Sequence, residues 1–212
     1  MGRVKLLKNK GQFRDFFFHM DILLMMTILI IMAAATMFMV PGLPELLFLG
    51  LGLVVFMFSE YLTHRFLFHL KAPENPLFLK FLKRIHYDHH KYPNDLKLLF
   101  LPVWYSIPNF AALSAIFYLI FRSVEGTVSF GIGLILMLLV YEWRHFIAHR
   151  PIKPKTRFGK WVKKTHTLHH FKNENFWYGV STPFVDALFG TLKEQTDVET
   201  SETVKDLEKR AK

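Results

Sequence analysis

The chain contains no cysteine among its 212 residues. That excludes disulfides, a cysteine-ligated iron–sulfur cluster and a thiolate-ligated haem, and it leaves the compartment open. Acidic residues are also scarce, 17 against 27 Lys and Arg, for a net charge of +10. A surplus of that size would suit a nucleic-acid partner, but no soluble nucleic-acid motif accompanies it. Two metalloenzyme patterns are missing as well. The HExxH signature of zinc hydrolases does not occur. Nor does the pair of Glu-x-x-His motifs with bridging carboxylates that builds a ferritin-like di-iron site.

Apolar sequence is what the chain has in quantity: 51% of residues are hydrophobic and 23 are Phe. Crossing about 30 Å of hydrocarbon takes about 20 helical residues at 1.5 Å each. Four runs reach or approach that length: Ile22–Val40, Leu46–Leu62, Val103–Phe121 and Val128–Trp143. The second and fourth are short and carry Glu60 and Glu142 near their C-terminal ends, where they are expected to leave the lipid. The basic lead and the run through Ala33-Ala34-Ala35 look like a signal peptide, but the run continues to Val40, so a retained signal-anchor helix is the better reading.

The cations are distributed asymmetrically. Five precede the first run, none lies in the Pro41-Gly42-Leu43-Pro44 link, seven lie between the second and third runs, Arg122 alone joins the third and fourth, and fourteen follow from Arg144. By the positive-inside rule both termini and the second-to-third connection are cytoplasmic. Basic loops beside anionic headgroups then account for the charge, and no nucleic-acid partner is expected. The membrane would be the plasma membrane of a bacterium or the endoplasmic reticulum of a eukaryote. Residues 1–21 read as a basic cytoplasmic lead-in, 22–192 as one membrane domain and 193–212 as a charged tail that frays. The architecture expected is all-α: four transmembrane helices in two hairpins, with a cytoplasmic helical cap. Pro108 should kink the third span or split off a short piece.

Ten of the eleven histidines fall into four clusters just outside apolar runs: HRFLFH (His64, His69), HYDHH (His86, His89, His90), HFIAH (His145, His149) and HTLHH (His166, His169, His170). His19 stands apart and reads as structural. Neutral imidazole is the commonest protein ligand for transition metals. On a helix His145 and His149, four apart, can serve one ion. In each HxxHH the adjacent pair points about 100° apart, so one motif can reach two ions. His64 and His69 are five apart, which an α-helix would splay; their helix should end between them, or the pair should serve two ions. Ten ligands exceed one ion's needs, so two ions with about five imidazoles each is the economical reading.

By softness an all-nitrogen shell fits Fe, Zn, Cu or Ni. A structural zinc clip needs only four ligands. Two neighbouring redox metals suit O₂ activation instead. Glu60, Asp88 and Glu142 are candidates to accept a ligand's second ring N–H and fix its tautomer. A metal transporter would need polar ligands near mid-membrane, whereas every cluster here lies at or beyond a span end.

In this order around two hydrophobic hairpins, the four patterns resemble the fatty acid hydroxylase (sterol desaturase) superfamily, most of all the fatty acid 2-hydroxylases. The likeness covers about residues 45–192 and extends to Gly179-Val180-Ser181-Thr182-Pro183-Phe184-Val185-Asp186 and Phe189-Gly190-Thr191. It implies a membrane-bound di-iron mono-oxygenase that hydroxylates a fatty acyl chain of a lipid, at the 2-position in the closest members, using O₂ and two external electrons. The ten clustered histidines would be the metal ligands, Asp186 a supporting residue, and no further catalytic group is implied. Zinc is expected to occupy such a shell readily on purification. Members often carry a cytochrome b5-type domain; 21 residues before the first span leave no room for one, so a separate carrier of cytochrome b5 or ferredoxin type is expected to supply electrons. Val185 stands where an aromatic is expected, which would alter the substrate-side wall. Carotenoid hydroxylases and sterol or lipid desaturases share the metal site and are the rival outcomes.

Overall fold

A computed structural model describes residues 11–39 and 42–211. Val40 and Pro41, the first ten residues of the lead-in and Lys212 lie outside the described residues. No strand occurs among the described residues. Four long helices dominate: α1 (Met20–Ala35), α2 (Leu43–Thr63), α6 (Val103–Phe121) and α7 (Val124–His149). Between α2 and α6 lie α3 (Pro76–Leu82), α4 (Asp88–Lys91) and α5 (Leu96–Leu99). After α7 come α8 (Arg157–Phe171) and α9 (Phe184–Leu188).

Four segments are long and apolar enough to cross a membrane: Met20–Phe38, Leu43–Phe68, Leu96–Phe121 and Val124–His149. The outward residues on them are those a lipid would meet; Ile30, Ile31, Leu119 and Ile120 are all exposed. The chain is thus a multi-pass membrane protein. The second and fourth helices run past Glu60 and Glu142, and both glutamates are buried inside protein rather than emerging at a helix exit. The third segment breaks at Pro102, the N-cap of α6, whereas Pro108 lies inside the continuous helix.

Local chemistry starts the helices where they start. Glu45 reaches back to accept the Gly42 N–H (2.8 Å) ahead of α2. Asn75 accepts from Leu77 and Phe78 N–H with Pro76 in the first turn of α3. Thr156 caps α8 through Gly159 N–H. Helix α6 stops at Arg122 in the left-handed region, φ 52°.

The chain divides into two compact units, Met1–Leu53 with Phe100–Leu139, and Val54–Leu99 with Val140–Lys212. In the first, Phe117 packs against Phe48 and Phe130 (ring centroids 5.0 and 4.6 Å). There α2 and α7 meet backbone to backbone at Gly52 and Gly133: a Cβ on Gly52 would fall 2.2 Å from the Phe130 carbonyl oxygen. Small residues permit that approach. The second unit contains all ten clustered histidines.

Two departures from α-helical geometry matter in that unit. His64–Phe68 and Lys83–Tyr87 are π-helical turns, in direct continuation of α2 and α3. In a π turn residues five apart are hydrogen-bonded neighbours. His64 and His69 therefore face the same point, with ring centroids 5.0 Å apart. Of the two readings of their spacing, the first holds in part, since the helical stretch ends at Phe68 with His69 as its C-cap, and the second fails, since both rings fall in one histidine group.

Candidate metal centre

The histidines form two groups, His64, His69, His86, His90 and His169 in one, His89, His145, His149, His166 and His170 in the other, and within each group the ligand atoms lie within 4.8 Å of one another. None of the ten is more than 9% exposed. Each HxxHH divides between the groups as its 100° offset suggests: His90 and His169 join one, His89 and His170 the other. The two groups are adjacent, since the rings of His90 and His170 stack at 4.1 Å. His19 stays outside both; its ring packs tilted against Phe100 with centroids 4.6 Å apart and lies 3.5 Å from Asp21.

Nε2 atoms converge at the centre of each group. His86 Nε2 is 3.1 Å from His64 Nε2 and 2.8 Å from His69 Nε2, and His69 Nε2 is 3.1 Å from His169 Nε2. In the second group His89–His145 and His149–His166 approach at 2.8 and 2.9 Å. A metal–imidazole bond is about 2.1 Å, which places ligands at right angles about 3.0 Å apart and tetrahedral ligands about 3.4 Å apart. The observed spacings match the right-angled arrangement and suit a shell of more than four ligands.

Ring protons point outward where partners are present. His64 Nδ1–H donates to the Tyr178 carbonyl (2.5 Å), His169 Nδ1–H to Phe176 (2.8 Å) and His90 Nδ1–H to Val204 (2.8 Å). Each bond leaves a lone pair on Nε2, the face turned to the centre. Buried His90 Nε2 and His170 Nε2 have no protein partner, as metal-facing nitrogens should. Burial, reinforced by neighbouring imidazoles, holds His69, His86, His89, His166, His169 and His170 well below the usual imidazole value. Burial pushes His90 down to about 3. These are neutral rings at any physiological pH, the state that ligates metal.

Two of the three carbonyl acceptors, Phe176 and Tyr178, lie in a loop held by the chain around it. Asp186 accepts from Tyr178 N–H, Gly179 N–H and the Thr191 hydroxyl, each at 2.7 Å. Glu60 accepts from Val180 N–H (2.6 Å), Ser181 N–H (3.1 Å) and the Ser181 hydroxyl. Trp177, fully buried with φ 58°, is tied by its N–H to Thr191 and by its indole to Lys193. Glu60 was expected to take an imidazole proton directly; its carboxylate instead orders the loop that supplies the carbonyl. Asp88 is half-buried, and its backbone carbonyl accepts the Tyr92 N–H. Glu142 is buried on α7 one turn before His145.

The expected fraying of the tail does not occur over residues 193–211. Val198, Val204 and Leu207 are 6%, 6% and 0% exposed. The acceptors Tyr178, Phe176 and Val204 escaped notice in the sequence because a backbone carbonyl leaves no residue-type signal. Asp186 and Thr191 were marked only through the family pattern.

Four membrane-length helices and two buried five-histidine groups define a class, the histidine-rich membrane proteins with candidate metal centres. Residues 49–191 match the fatty acid hydroxylase family model, and the chain belongs to that family. It is 35% identical over 157 residues to a fatty acid 2-hydroxylase of Rattus norvegicus, covering 70% of this chain and 41% of that one. It is 32% identical over 163 residues to a dihydroceramide fatty acyl 2-hydroxylase of Arabidopsis thaliana, covering 71% and 63%. The chain thus spans less than two thirds of the length of these curated relatives. A solved structure of full-length scs7p, with only the hydroxylase domain visible, superposes with TM-score 0.74 at 25% identity over 84% of this chain and 66% of that one.

Proposed function

We propose that this protein is a di-iron mono-oxygenase that hydroxylates a fatty acyl chain of a membrane lipid at carbon 2. The observation that carries the reading is the pair of five-histidine groups, each with its ligand atoms within 4.8 Å of one another and its close Nε2 pairs at 2.8–3.1 Å. The ten histidines would be the ligands of two ions. The relatives' names supply the acyl substrate and the position. Two iron ions would provide the redox chemistry for splitting O₂, with two electrons and two protons consumed, one oxygen entering the C–H bond and the other leaving as water.

The chain's own residues have distinct tasks in this reading. His64, His90 and His169 present Nε2 because backbone carbonyls hold their Nδ1–H groups. Burial keeps the rings neutral and excludes bulk water, which protects a reactive oxidant from wasteful reduction. Asp186 and Glu60 are positioning residues that fix the 178–181 loop. His64 and His145 stand about one turn from the C-terminal ends of membrane-length segments, so the metals would meet a lipid near its headgroup. That favours oxidation of carbons close to the carboxyl end over mid-chain carbons. Electrons would arrive from a separate carrier of cytochrome b5 or ferredoxin type, and the basic loops support a site on the cytoplasmic side.

Expression in a host without this activity, followed by mass spectrometry of its fatty acids and polar lipids, tests the proposal. With iron and an electron donor supplied, 2-hydroxyacyl species should form, and His89→Ala and His169→Ala should abolish them. Only double bonds or mid-chain oxidation would overturn the assignment in favour of a desaturase-type outcome.

A further inference from the structure

The C-terminal segment lies beyond the stretch that matches the family model, residues 49–191, yet it reaches the metal centre. Val204 supplies the carbonyl that holds His90 Nδ1–H (2.8 Å). Arg210 donates to the backbone carbonyl of His69 (2.8 Å), the residue that closes the first π turn, and to Asn175 Oδ1 (3.0 Å). Its Nε lies 3.8 Å from Glu174 Oε1, which also accepts the Thr203 hydroxyl at 2.5 Å. Lys83 at the start of the second π turn pairs with Glu208 (2.6 Å). Ser201 N–H bonds the Lys172 carbonyl (2.8 Å), and Leu207 is fully buried.

The bonds from this segment that reach a clustered histidine go to His69 and His90. His69 and His90 both belong to the first group. No described hydrogen bond joins the segment to His89, His145, His149, His166 or His170. We propose that residues 198–211 form a strap that secures the ion of the first histidine group selectively, with Arg210 as its positioning residue. The proposal rests on the two-ion reading above. Two of that group's five rings owe their placement to the strap, one through its ring proton and one through its backbone. Without it their Nε2 atoms would remain present but mobile, so the ion would leave faster while the second ion kept its shell. Outer-shell partners of ligating histidines govern affinity in this way.

Metal release, measured on the full chain loaded with Co²⁺ and challenged with a chelator, reads this directly through absorbance and elemental analysis. Two backgrounds assign the ions: His89→Ala/His166→Ala leaves the first group intact, and His86→Ala/His169→Ala leaves the second. Arg210→Gln should speed release about 10-fold or more in the first background and leave the second unchanged. Arg210→Lys should restore part of the retention. Thr203→Val, which loosens the strap without touching Arg210, should act in the same direction and guards against a folding defect in Arg210→Gln. A parent chain that holds fewer than two ions overturns the two-ion reading and the proposal together. A parent that holds two, with variants that accelerate both ions alike or neither, overturns the strap alone.

Discussion

Replacing Asp186 with asparagine swaps one carboxylate oxygen for an NH₂ group in a buried site where three donors converge. Tyr178 N–H, Gly179 N–H and the Thr191 hydroxyl all point at the carboxylate from 2.7 Å. The amide oxygen can keep one of the two backbone donors; the other then faces a donor. One charge-assisted bond is lost, about 1.5–3 kcal/mol, and a buried N–H goes unpaired, about 1–3 kcal/mol. Against this stands relief of the buried charge, since burial pushes the Asp186 carboxyl up from its usual value. A net loss of about 2–4 kcal/mol is expected. The effect should reach the metal, because Tyr178 also supplies the carbonyl on His64. A freed His64 ring should weaken the first ion about 10–100-fold, or about 1.4–2.7 kcal/mol. Thermal unfolding in detergent and elemental analysis after dialysis measure the two effects. An Asp186→Asn protein with unaltered unfolding and full metal content would refute the reasoning.

Gly52→Ala should be costly although alanine is the better helix former, because its Cβ would sit 2.2 Å from the Phe130 carbonyl oxygen and 3.1 Å from Gly133 Cα; about 1–3 kcal/mol of destabilisation is expected from overpacking, read by thermal unfolding against Gly50→Ala, where a Cβ meets nothing. The metal-free protein should lose stability as pH falls below about 6.5. The buried histidines sit below that unfolded-state value, so the unfolded chain binds protons that the folded chain refuses, at about 1.4 kcal/mol per pH unit for each such ring. The loss continues toward about 3, where His90 itself titrates. Unfolding temperatures of the chelator-treated chain at pH 7.5 and 5.5 should differ in that direction; equal values would contradict the burial of neutral imidazoles.

The division of each HxxHH between two centres was legible because it follows from α-helical geometry alone: adjacent residues diverge and residues four apart converge. The His64–His69 pair was not. Its convergence depends on a π turn, and nothing in HRFLFH distinguishes a π turn from an α-helix that ends. Glu60 was found, but its partner was misassigned. Glu60 stands one turn before His64, which suggests a direct bond to the ring, yet its partners come from residues 180 and 181, far along the chain. The tail misled through composition: few apolar residues predict fraying, but three well-placed ones, Val198, Val204 and Leu207, suffice to dock it.

The amino-acid sequence by itself determined the membrane-length helices, through long apolar runs, and the ligand type available to a metal, ten imidazoles with no cysteine. Those properties are local: hydrophobic length and ligand type need no knowledge of distant residues. The tertiary structure alone decided which five histidines share a centre, which carbonyls hold their ring protons and that the tail closes over one of the two groups. These depend on contacts between residues up to 141 positions apart, and on backbone atoms that every residue possesses.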